Sequence, residues 1–236
     1  GIQDTDELES FIKTKSNEGI YLTVLGYGIG NLRFTVMETL ANNGDGNFFY
    51  VDSLAESQRI FTEGLSGLLI TVAKDVKAQL EFNPETVHSY RLLGYENKLL
   101  SQDEWDDDNA DAGEINSGFT LTAAYEVILE EDATMADGEV YATASVKYKL
   151  PDADTNSQPQ TISKEIDINC YTEQLNNDQK FISAVIEAAL IMRNSEYKSN
   201  ANIDAVIERL QTVTNLSLDE KKSEFLELML LYKEQI

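Results

Sequence analysis

Within residues 103–114 the chain carries Asp103, Glu104, Asp106, Asp107, Asp108, Asp111 and Glu114. Carboxylates at this density supply the hard oxygen donors that calcium takes, about six to eight per ion. Asp106, Asp108, Asp111 and Glu114 are the candidate calcium ligands. Their register departs from an EF-hand, because Ala110 and Ala112 stand where a regular ladder of ligands needs oxygens. The alternative is a solvated acidic hairpin, the ordinary fate of a charge run.

A second constellation is rich in glycine. Gly26, Gly28 and Gly30 in VLGYGIGN sit where a strand should meet a helix, and Asp52 follows a second strand at about the distance of a ribose-binding acid. Backbone without side chains in such a turn can approach a pyrophosphate closely. The third glycine nevertheless comes too early for G-x-G-x-x-G, and the next helix is interrupted by Asn42-Asn43-Gly44. These departures favour a glycine-rich turn of some other α/β domain.

Three lone side chains complete the chemistry. His88, the chain's single histidine, lies in an alternating strand without a nucleophile and orienting acid beside it in sequence, so no catalytic residue is assigned. Cys170 shares the apolar parity of its strand and reads as a small buried hydrophobe. Trp105, the single tryptophan, is expected to anchor the acidic loop on the adjoining sheets.

Positioning these residues needs three kinds of structure. Residues 5–17, 20–26, 32–42, 47–51 and 53–64 alternate helix, strand, helix, strand and helix. Asp4 with Glu7 has the spacing of an N-terminal cap, and IYLTVLG is the continuous apolar run of a parallel strand covered on both faces. From 68 to 172 the period changes to two, with strands expected at 76–82, 87–93, 121–129, 141–150 and 161–170, as in an antiparallel sandwich. In the first of these Val76, Ala78, Leu80 and Phe82 share a face opposite Lys77, Gln79 and Glu81. The last sixty or so residues are helical. There Phe181, Ile182, Val185, Ile186, Ala189 and Met192 form a buried stripe, a second helix runs through Ile203 and Leu210, and Ser217 with Glu220 opens a third.

Charge excludes more than it identifies. The 236 residues include 42 acidic and 18 basic side chains, a formal net charge of −24. Such a surface repels a polyphosphate backbone and an anionic bilayer, which argues against nucleic-acid binding and electrostatic membrane docking. A hydrophobic content of 42% is nonetheless enough for a sizeable core. One cysteine allows no internal disulfide, and no apolar run approaches the length of a membrane span, about 20 residues.

Longer strings carry a resemblance. TDELESFI and GIYLTVLGYGIGNLRFTVMETLANNGDGNFFYVDSLAESQRIF resemble the C-terminal half of bacterial von Willebrand factor type A domains. The stretch from TVAKDVKAQLEF to LTAAYEV, and the tail with FISAVIEAALIMRNSEYKSN, are similar to the region that follows such a domain in a family of bacterial envelope proteins. The resemblance implies a multi-part α+β chain: residues 1–67 a partial Rossmann-like type A segment, 68–172 an antiparallel β-sandwich, and 173–236 a helical C-terminal segment. It implies a non-enzymatic interaction or scaffold role in the cell envelope, with a protein partner and no nucleic acid. Magnesium or manganese is expected only in the complete type A domain, because the family's Asp-x-Ser-x-Ser metal motif has no counterpart here. No cofactor is expected in this chain, and an open strand edge is expected to favour dimers. The alternative is a nucleotide- or calcium-dependent enzyme using the Gly26–Gly30 turn or the 103–114 loop.

Overall fold

The computed structural model describes residues 4–28, 30, 32–62, 64, 67, 69–95, 99–108, 110, 112–131, 133, 138–154 and 157–236. They form a mixed α+β fold with antiparallel sheets and, among the described residues, no barrel. Two compact units are present, residues 1–134 with 140–166 and residues 135–139 with 167–236.

The first unit begins with α1 (Thr5–Asn17), whose N-cap Asp4 accepts the Glu7 N–H at 3.0 Å, as the capping spacing requires. β1 (Val24–Tyr27) and β2 (Phe48–Val51) are parallel, with Val24 opposite Phe48 and Tyr27 opposite Val51. β1 is shorter than the apolar run at 20–26. Leu22 N–H donates to Gly44 O at 2.8 Å and Val24 N–H to Asn47 O at 2.8 Å, so the start of that run is tied to the turn before β2. The turn needs its glycine, since a Cβ on Gly46 would lie 1.8 Å from the Leu22 carbonyl oxygen. α2 (Phe34–Asn43) sets Phe34 against Phe48 and Tyr50, with ring centroids 5.9 and 5.4 Å away. α3 (Leu54–Thr62) follows β2.

The antiparallel part is organised around β3 (Thr71–Phe82), which starts five residues before the expected strand. It lies between β5 (Gly113–Asn116) and β7 (Val140–Lys149), with β8 (Gln160–Asp167) beyond β7. A second, two-stranded sheet pairs β4 (Val87–Leu93) with β6 (Ala124–Leu129). The two sheets meet at Phe82, whose ring stacks on Tyr90 at 4.2 Å and meets Tyr125 edge-on at 5.5 Å. β8 ends sooner than 170: the Asp167 side chain accepts the Asn169 N–H at 2.9 Å and starts a 3-10 turn over Ile168–Cys170. Cys170 is therefore exposed, not a buried strand residue. Leu150, the last residue of the strand expected over 141–150, lies past the end of β7 and is exposed.

The second unit contains α5 (Asn177–Met192), α6 (Ile203–Gln211) and α7 (Glu220–Lys233); the label α4 belongs to Gln102–Asp106 in the first unit. Asn176 and Gln179 form a reciprocal capping box on α5, and Asn202 caps α6. The α7 cap is Asp219, not Ser217, which lies in a separate 3-10 turn over Leu216–Leu218. Nor is the buried ridge of α5 the expected stripe. Ala184 and Ala188 are its buried positions, whereas Val185, Ala189 and Met192 are exposed. Ala184 and Ala188, one turn apart, join Val206, Leu210 and Met229 in the core cluster, with Phe181 and Ile191 packed against it.

Leu210→Ala is expected to lower the unfolding free energy by about 2–5 kcal/mol, and Val185→Ala by less than about 1 kcal/mol. Urea unfolding followed by circular dichroism measures both. Equal losses would contradict the alanine ridge.

Candidate functional site

Two strands bring four lysines together. Across β3 and β7, Lys77 stands opposite Lys147 and Lys74 opposite Lys149, in a register shifted by a bulge between Lys74 and Lys77. Asp75 lies within that bulge at φ 51°, the left-handed region that aspartate tolerates better than most residues. Alternation alone would put Lys77 in water. Instead Lys77 is 3% exposed and Lys149 2% exposed, while Ala78 of the supposed core face is exposed.

The cover is the acidic segment. α4 (Gln102–Asp106) is one turn long and opens with a capping box: Ser101 Oγ accepts the Glu104 N–H at 3.3 Å, and Glu104 Oε2 accepts Ser101 N–H at 2.8 Å. The bond from Ser101 N–H, and then that from the Ser101 hydroxyl, hold the Glu104 carboxyl below its ordinary range. The segment's carbonyls then meet the lysines. Lys77 Nζ donates to Glu104 O at 2.7 Å and to Asp107 O at 2.5 Å, and Lys147 Nζ donates to Trp105 O at 3.1 Å. Carbonyls at a helix end have no intrahelical donor, so cations are their natural partners. Lys147 also lies 4.8 Å from the Trp105 ring centre and 3.8 Å from Asp108 Oδ1. Lys149 pairs with Asp75 at 3.0 Å, and Lys74 donates to Ala153 O. Asp75, Lys77, Asp108, Lys147, Lys149 and Pro159 line a shallow recess between strands and segment.

The expected calcium ligands fall in different places. Asp106 Oδ2 accepts from Gln102 Nε2 at 3.1 Å, Asp108 faces Lys147, and Glu114 lies in β5. Asp111 lies outside the described residues. Among the described residues no three of His, Cys, Asp and Glu converge as a metal site. Trp105 is half-buried against the sheet, where anchoring was expected.

In the glycine turn, Gly28 and Gly30 have φ values of +90° and +106°, and Tyr50 Oη donates to Gly28 O at 3.2 Å. A Cβ at Gly26 would lie 3.1 Å from both Met37 Sδ and the Phe48 ring, so that glycine serves the packing of α2 on the strands. Asp52 is exposed just after β2. His88 is exposed, with Nδ1 3.1 Å from Glu130 Oε1.

Sequence reading missed the lysines, because alternation assigns them to solvent. Two signals were available: Lys147 and Lys149 are two apart on one face, and Ser101-x-x-Glu104 has the spacing of a helix start.

Comparison with known proteins adds a family. The family model described as "Uncharacterized protein YfbK, C-terminal" matches residues 67–234. The Escherichia coli (strain K12) protein described as "Uncharacterized protein YfbK" is 31% identical over 244 residues, covering 97% of this chain and 42% of the relative. The chain thus spans less than half the length of that relative. No solved structure matches.

Glu104 gives a pH prediction. A carboxyl held low in the folded state stabilises above its unfolded value and loses that contribution as pH falls through the folded value. Trp105 emission is expected to shift red in acid, and Ser101→Ala to move the transition to higher pH. Coincident transitions in a fluorescence titration of the two proteins would contradict a contribution from the Ser101 hydroxyl.

Proposed function

The chain belongs to the YfbK C-terminal family, and on that premise we propose that it is a non-enzymatic interaction region of a bacterial cell-envelope protein of the von Willebrand factor type A class. The observation that carries the reading is the order α1–β1–α2–β2–α3 with its parallel strand pair. This is the order the resemblance requires for the closing elements of a Rossmann-like type A domain. A parallel pair buries both faces only among further strands and helices. Tyr27 of β1 and Phe34 beside the pair are exposed, at 56% and 51%.

The metal of a type A domain does not fit the residues present. Its Asp-x-Ser-x-Ser motif has no counterpart in the sequence, and among the described residues no acidic group of three converges. On this reading metal-dependent adhesion is a property of a complete type A domain that carries the motif. The part described here supplies a partner-binding and supporting surface.

Calorimetric titration with manganese is the direct test, on this chain and on a longer protein that carries a complete type A domain. Heat of specific binding is expected from the longer protein alone. Equal tight binding by both would contradict the assignment. A rise in melting temperature with nucleotide would instead support an enzyme, because a ligand that binds only the folded state stabilises it.

A further inference from the structure

We propose that the lysine face of β3 and β7 is a binding site for an acidic protein segment bearing an aromatic residue, and that residues 101–108 are its resident occupant. The inference rests on the reading of the chain as an interaction region and names the chemistry of the partner.

Charge is the first argument. The protein has a net charge of −24, yet four of its 18 basic side chains converge on one patch of a single sheet. Asp75 pairs with Lys149 there, and Asp108 arrives with the segment itself. Withdrawing residues 101–108 removes both carbonyl contacts of Lys77 and the carbonyl, indole and Asp108 contacts of Lys147.

The second argument is the nature of the contacts. Lys77 reads two backbone carbonyls, and Lys147 reads a third together with the face of an indole ring. Those are features of a peptide, and a phosphodiester chain offers neither a carbonyl helix end nor a tryptophan. The third is how thin the cover is. Ser101 to Glu104, Asp106 and Asp107 are exposed, and only Trp105 and Asp108 are half-buried. No apolar clamp appears in these contacts, so a partner with the same acidic and aromatic features can supply each of them. The resident competes through its tether, which gives it a high effective concentration and keeps the site closed to weak ligands.

The test uses a fluorescein-labelled peptide of sequence LLSQDEWDDD and measures anisotropy at low salt. Trp105→Ala combined with Asp108→Ala weakens the resident without touching the face, and is expected to bind the peptide about tenfold more tightly than the unaltered protein. Adding Lys77→Met and Lys147→Met should abolish that binding. An oligothymidylate of equal charge should fail to displace the peptide. No binding by the weakened protein, with its circular dichroism spectrum retained, would overturn the proposal, as would displacement by the oligonucleotide. If the weakened protein does not fold, the unaltered protein decides. Unlabelled peptide with Phe in place of Trp should then redden Trp105 emission as the resident leaves, and unchanged emission at saturating peptide would overturn the idea. Neither failure alters the manganese and nucleotide titrations, which judge the interaction reading separately.

Discussion

Ammonium groups set opposite one another across two hydrogen-bonded strands repel, and burying them without oxygen partners costs several kcal/mol. Lys77 with Lys147, and Lys74 with Lys149, impose that constraint on the centre of the four-stranded sheet. Each amine has its own oxygen: two carbonyls for Lys77, a carbonyl and Asp108 for Lys147, Asp75 for Lys149, and the Ala153 carbonyl for Lys74. The placement of the acidic segment, the bulge at Asp75 and the turn after β7 all answer this requirement. Residues 101–108 of the acidic segment are thus a counter-surface to the lysines.

The α/β segment shows a different dependence. Its parallel strands are in register and its glycines are placed for close packing, with Gly26 against Met37 and Phe48 and Gly46 against Leu22. Large apolar side chains around it remain exposed, Leu54 and Phe61 of α3 among them. In the helical unit, by contrast, Ala184, Val206 and Leu210 are at or near complete burial, and capping residues satisfy the helix starts. Caps set the helix starts of that unit, and its core joins Ala184 and Ala188 to Val206, Leu210 and Met229 of the later helices.

Much of this was legible from residue patterns, and the failures have physical causes. Asp4 with Glu7 located the start of α1, and period-two alternation located β4, β6 and β7 to within a few residues. Alternation reports which side chains share a face but not which face is covered, so Lys77 and Ala78 were assigned to the wrong environments. Cys170 was misplaced because a local Asp167 hydrogen bond ended the strand first. Residues 103–114 look like one polar loop by composition, yet a single capping box builds a helical turn there whose carbonyl end the lysines need. Contacts between residues about 30 to 40 apart in sequence, such as Lys77 with Asp107, leave no local signature.

A double-mutant cycle between Lys147→Met and Trp105→Leu, measured by urea unfolding, tests most directly whether the sheet lysines hold the acidic segment. The contact predicts a coupling energy of about 0.5–2 kcal/mol between the two positions. Additive effects within experimental error would contradict it.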